Sequence, residues 1–193
     1  MRAVVIGVGH LGKHHARILA SLPGVTLAGV IDTNAECAAQ VAAERGTTAY
    51  ADVRDVPGKI DVAVVAVPTE SHAAIAMGLI QSGIHTLVEK PVTQTVAEAD
   101  ALIAAAKTAG VVFAVGHSER FNPAVVAARP HIKAPRFIEV HRLGQFPDRS
   151  LDIDVVLDLM IHDIDLILSL VPSEVEAVEA VGVPVLTPRI DIA

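Results

Sequence analysis

The sequence predicts an α/β protein: a doubly wound parallel sheet followed, from residue 123, by the start of a second segment of α+β pattern. Three observations predict this. Short β-branched runs alternate with alanine-rich stretches of helical period over about the first 120 residues. Apolar residues make up 52% of the chain and aromatic residues only 3%, so the core must be aliphatic, as in sheets covered on both faces. Gly46, Gly83 and Gly110 each fall just past a helical stretch, where a left-handed residue closes a helix.

Residues 3–6, AVVI, form the first strand because β-branched side chains suit a pleated, covered surface. A helix over 12–21 follows, then a strand over 25–31, a helix over 35–45 and a short strand over 47–51. Residues 61–67 read as a buried strand and 71–82 as its crossover helix. Strands over 84–88 and 111–115 flank a helix over 96–109. Strands joined by crossover helices make a parallel sheet wound in two directions. Asn122-Pro123 and the proline-containing stretch 129–135 then read as a connection. Beyond it, 136–146 alternates like a strand with one wet face, 155–171 is a long helix, and 175–185 is another strand. Two strands and a helix leave sheet edges bare, so the chain is expected to stop inside this second domain.

Gly7-Val8-Gly9-His10-Leu11-Gly12 lies between the first strand and the first helix. In this context G-x-G-x-x-G has a physical role. Gly7 permits a tight turn, Gly9 lets backbone approach a diphosphate, and Gly12 allows close helix–strand packing, with His10 and Leu11 in the same cofactor-binding turn. The phosphates then lie on the positive end of the helix. Asp32 ends the second strand, where its carboxylate accepts hydrogen bonds from the adenosine ribose and repels a 2′-phosphate. Thr33 and Asn34 follow it with no adjacent arginine, so NAD is expected rather than NADP. This is the pattern of a Rossmann domain, placed at residues 1–122.

Ligands of such sheets bind beyond the carboxyl ends of the strands. Val67-Pro68-Thr69, with His72 one turn on, follows the fourth strand. Glu89-Lys90-Pro91 follows the fifth, with a cis peptide expected before Pro91, and residues 116–123 follow the sixth. Lys90 reads either as a partly desolvated cation in the crevice or as an exposed loop lysine. His72 and Arg120 are candidates for the wall around a nicotinamide or substrate, His72 being equally a plain residue of a helix start; His117 and Asn122 are further pocket candidates. His15 lies close to the expected phosphate position. On the long helix, Asp158, His162 and Asp165 share one face at i, i+4 and i+7. An aspartate one turn from a histidine can fix its tautomer and raise its basicity, as a general base needs; the alternative is a solvated polar face.

Other classes are disfavoured. Lys plus Arg number 15 against 22 Asp plus Glu, a net charge of −7 without the basic footprint of a nucleic-acid binder. The lone Cys37 rules out a disulfide framework, and one helix with no H-E-x-x-H spacing predicts no metal site. The acidic residues within 155–171 argue against a membrane span. Met1-Arg2 runs straight into a strand without a leader, so a cytoplasmic location is expected.

GVGHLG at 7–12, VAVPTESH at 65–72, EKP at 89–91 and Asp158-x-x-x-His162 together resemble the Gfo/Idh/MocA family of NAD(P)-dependent oxidoreductases. The resemblance extends over the whole chain. It implies that Lys90, Asp158 and His162 are the catalytic and substrate-contacting groups. It also implies that 123–193 begins a mostly antiparallel sheet domain that binds substrate and mediates dimerisation, so a homo-oligomer is expected of the full-length protein. Within the family, GHSERFNPA at 116–124 and VVLDLMIHDIDLIL at 155–168 are most similar to the subgroup that oxidises the 3-hydroxyl of UDP-N-acetylglucosamine. The implied reaction moves a hydride between a sugar carbinol and nicotinamide. His162 takes the hydroxyl proton, Asp158 orients it, and Lys90 stabilises the alkoxide. Two alternatives stay open: an aldose or inositol dehydrogenase of the same family, and a non-catalytic NAD-binding module.

Overall fold

The computed structural model describes residues 1–144 and 154–193. The chain divides into two compact units, Met1–Gly116 and His117–Ala193, ahead of the boundary expected at 122.

The first unit alternates strand and α-helix except between its third and fourth strands, which a 3₁₀ turn at Val53–Asp55 joins. Its elements are β1 (Arg2–Ile6), α1 (Gly12–Ser21), β2 (Thr26–Ile31), α2 (Ala35–Arg45), β3 (Ala49–Tyr50), β4 (Val62–Val65), α3 (Thr69–Gln81), β5 (His85–Val88), α4 (Val96–Ala109) and β6 (Phe113–Val115). All the strand pairs are parallel, in the order β3-β2-β1-β4-β5-β6. The order reverses between β1 and β4, and a crevice opens at the carboxyl ends on either side of that point.

Local chemistry explains most of the boundaries. Asn34 accepts the amides of Glu36 and Cys37 and so starts α2. Thr95 and Glu98 form a reciprocal capping box at the start of α4. Gly46 and Gly110 close α2 and α4 at φ 65° and 67°, as expected of them. The strands alternate across two buried faces: Val4 and Ile6 pack with Val65, Ile80 and Leu102, while Val5 packs with Val30, Val64 and Ala16. Strands β3, β4 and β6 are shorter than expected, and α3 begins at Thr69 rather than 71. Pro68, at φ −57°, is already set for the entry into that helix.

The second unit departs further from expectation. It contains a 3₁₀ turn at Ser118–Phe121, α5 (Pro123–Ala128), a second 3₁₀ turn at Arg129–His131, and α6 (Ile161–Leu170) entered through a π turn at Val156–Met160. The long helix expected over 155–171 is therefore a π turn joined to an α-helix. The strands expected at 136–146 and 175–185 are not found among the described residues. Residues 136–144 carry no strand, and 145–146 lie outside the described residues. Within 175–185 there is a single antiparallel bridge, Val183 to Ile192. A strand is completed by its neighbours, and an alternating pattern without a paired backbone does not make one. The turn after that bridge is closed by Asp191, whose carboxylate accepts the amides of Val185, Leu186 and Thr187.

Candidate functional site

In the first unit the glycine loop grows directly out of β1. Gly7 adopts φ 82° and donates its amide to the Ile31 carbonyl at 2.8 Å, so the chain turns at the sheet's edge. A Cβ on Gly12 would stand 1.7 Å from the Gly7 carbonyl oxygen, so only glycine lets the helix start pack under the turn. A Cβ on Gly9 would meet nothing within 4 Å. Gly9 therefore presents bare backbone to open space at the start of α1, the positive end of that helix's dipole.

Asp32 is tied into this loop. Its Oδ2 accepts the Val8 amide at 2.7 Å and its Oδ1 the Asn34 amide at 2.9 Å. Each oxygen keeps a lone pair for a second donor. A groove of about 750 Å³ runs from Gly7 and Gly9 past Asp32 and Thr33, with the apolar face of α3 at Ala74 and Ile75 as its wall. Val67 and Pro68 line it too, while Thr69 is the first residue of α3. The groove pairs amide-rich backbone at one end with a carboxylate and an apolar wall at the other, and these residues fit a dinucleotide's diphosphate, ribose and base.

Sequence reasoning missed two residues of the same groove, Asp52 and Arg54. Arg54 grips Asp52 through Nε at 2.8 Å and Nη2 at 2.6 Å, and both line the cavity. The Arg54 side chain, then its amide, hold the Asp52 carboxyl at about 2. Neither residue belongs to a motif; only the strand order brings the loop after β3 beside Asp32.

Around Lys90 two of the candidate residues are turned into the protein. His72 is 1% exposed, and its ring nitrogens each lie 2.9 Å from a carbonyl oxygen, those of Pro91 and Val67. Both nitrogens face carbonyls within the protein, so His72 joins two loops. Glu89 is also turned inward, with Oε1 2.6 Å from His15 Nε2 and Oε2 accepting the Lys90 amide at 3.2 Å. Burial works to raise the Glu89 carboxyl, but the His15 hydrogen bond and charge, with the amide and charge of Lys90, outweigh it and hold it below its ordinary value. Lys90 is half-buried just past β5, and the Lys90–Pro91 peptide is cis, as expected.

In the second unit Asp158 lies in the π turn and His162 in the first turn of α6. The third member of the expected stripe has another task. Asp165 takes the Arg120 guanidinium at 2.6 and 2.7 Å and has His117 Nδ1 at 3.8 Å. Arg120, expected beside the cofactor, is thus engaged with α6. Burial works to raise Asp165; the Arg120 hydrogen bonds and the charges of His117, Arg120 and His162 prevail and hold it low. Asp163 is paired in the same manner with Arg142, at 2.8 to 3.0 Å. The need of a buried aspartate for a cation was a readable signal for these pairs, but its partner was not.

Comparison with known proteins agrees with this geometry. Residues 1–117 match the Gfo/Idh/MocA model, described as an oxidoreductase family with an NAD-binding Rossmann fold. The UDP-N-acetylglucosamine 3-dehydrogenase of Acidithiobacillus ferrooxidans is 47% identical over 194 residues, covering 100% of this chain and 61% of that protein. Its solved structure superposes with a TM-score of 0.92 over 99% of this chain and 63% of the other. The scyllo-inositol 2-dehydrogenase (NAD(+)) of Bacillus subtilis is 30% identical over 196 residues, 94% of this chain and 57% of that one. GenD2 from gentamicin A biosynthesis, solved in complex with NAD, matches at 26% identity and a TM-score of 0.75 over 87% of this chain and 52% of the other. The chain thus spans about three fifths of the length of the curated relatives it matches over its whole extent.

Proposed function

The chain belongs to the Gfo/Idh/MocA oxidoreductase family, and from that premise we propose that the protein is an NAD-dependent dehydrogenase oxidising the 3-hydroxyl of UDP-N-acetylglucosamine or a closely related nucleotide sugar. The observation that carries this reading is 47% identity along the whole chain to a relative of that activity, against 30% to an inositol dehydrogenase. A single thiol, Cys37, suits a reducing compartment such as the cytoplasm.

The roles follow from chemistry. Bound NAD supplies the hydride acceptor, and the carbinol becomes a ketone. The Gly9 backbone and the positive N-terminal end of α1 would hold the diphosphate, and Asp32 the adenosine ribose. His162 takes the hydroxyl proton as general base, a contribution of about 10²–10⁴-fold. Asp158, four residues before it, orients His162. Lys90 stabilises negative charge growing on the carbinol oxygen. The edge position of Lys90 at the end of β5 supports its role; the placement of Asp158 and His162 either side of the join between π turn and α6 supports theirs, since π turns recur at functional sites.

The test is NADH formation from NAD with UDP-N-acetylglucosamine, free glucose and myo-inositol in parallel. The reading expects turnover of the nucleotide sugar in preference to both others. Faster turnover of inositol would replace it with the inositol dehydrogenase reading, and NADH binding without any turnover with the non-catalytic one.

A further inference from the structure

Two histidines from different helices hold the residues on either side of Lys90. On one side, His15 of α1 binds the Glu89 carboxylate at 2.6 Å, and the other oxygen of that carboxylate accepts the amide of Lys90 itself. On the other, His72 of α3 binds the carbonyl of Pro91 at 2.9 Å. The Glu89 side chain has little freedom to do otherwise. It is 9% exposed, and Gly116, just past β6, is shaped to it: a Cβ there would stand 3.0 Å from Cδ and from both carboxylate oxygens. The Glu89 amide is meanwhile tied to Val65 at 2.9 Å, within the β4–β5 ladder.

We propose that His15 and His72 form a clamp on the Glu89-Lys90-Pro91 turn, and that His15 is a positioning residue for the reaction: by holding Glu89 it fixes the Lys90 amide and with it the direction in which Lys90 leaves β5. His15 touches neither substrate nor reacting atoms in this account; it acts through Glu89. The inference rests on the catalytic role given to Lys90 above. A group aimed at a reacting oxygen is sensitive to small displacements, and a shift of about 1 Å can cost about 100-fold in rate. A tie that served stability alone would leave turnover of the folded variant unchanged.

The experiment compares wild type, His15→Leu, which removes the donor, and His15→Gln, whose amide nitrogen replaces Nε2 as donor. Turnover with NAD and UDP-N-acetylglucosamine, NADH affinity and the NMR resonance of the Lys90 amide are read on each. His15→Leu is expected to lose about 10- to 100-fold in kcat. Its sugar KM and NADH affinity should stay within about threefold, or ~0.7 kcal/mol, and its Lys90 amide resonance should move. His15→Gln should recover most of the kcat and restore the resonance. A kcat in His15→Leu within about threefold of wild type, or no recovery in His15→Gln, overturns the proposal. Should wild type turn over no sugar, the proposed function fails. The clamp is then judged on the Lys90 amide alone: displaced by Leu and restored by Gln supports it, and unmoved overturns it. If His15→Leu does not fold, Glu89→Gln takes its place; reduced kcat with a displaced amide supports the clamp, and both unchanged overturns it.

Discussion

The carboxylate of Asp32 is bonded to the amide of Val8, 2.7 Å away in the centre of the glycine loop. The residue proposed to hold the adenosine ribose therefore also braces the turn proposed to hold the diphosphate, and the two halves of the groove are mechanically one. Asp32→Ala should weaken NADH binding by about 10- to 100-fold, the equivalent of one or two charge-assisted hydrogen bonds. NADPH binding should not fall in step, because the same change removes a charge that repels the 2′-phosphate. Fluorescence titrations with both cofactors check this.

Gly9 and Gly12 make a controlled pair. Gly12→Ala drives a methyl into the Gly7 carbonyl and should destabilise the protein by at least about 3 kcal/mol. Gly9→Ala meets no protein atom within 4 Å, so its stability should stay within about 0.5 kcal/mol of wild type. Its NADH affinity should nonetheless fall by more than about tenfold, or 1.4 kcal/mol, since the methyl occupies space the diphosphate needs. Urea unfolding and NADH titration of the two variants separate these effects.

His72→Leu fills the same buried space but removes the ring N–H, and with it the donor to the Val67 or the Pro91 carbonyl. A buried acceptor left without its donor costs about 1–3 kcal/mol. The urea midpoint should drop accordingly, with the slope of the transition unchanged.

Glu89 and Asp165 both have carboxyls held below their ordinary values in the folded chain. Their stabilisation is fully present above the unfolded values of about 4.3 and 3.9, and it is lost as pH falls through that range toward the folded values. Stability should therefore decline as the medium is acidified below about pH 5. Asp165→Asn should start lower at pH 7, because Arg120 loses its charged partner, and should change less on acidification. Urea unfolding at a series of pH values reads both slopes.

The parts of the fold written in local chemistry were legible in the sequence. Gly46 and Gly110 close their helices where expected, and the glycine loop and Asp32 fall at the carboxyl edge of the sheet as their spacing requires. What was not legible depends on residues far apart in the chain. His15 finds Glu89 across 74 residues, Arg120 finds Asp165 across 45, and Asp52 and Arg54 reach the groove only because β3 lies beside β2. Among the described residues the strands expected at 136–146 and 175–185 are not found, for the same reason: alternation supplies a face, but a ladder needs a neighbour, and these residues give Val183 only one bridge. His72 stood between a ligand wall and a plain helix start because its position in the crevice was readable while the carbonyls on either side of its ring were not.

Calorimetric titration of the folded protein with NADH bears most directly on the whole account. The groove predicts saturable binding of one NADH per chain, with NADPH weaker by at least about tenfold. Absence of any binding heat for both NAD and NADH would contradict it.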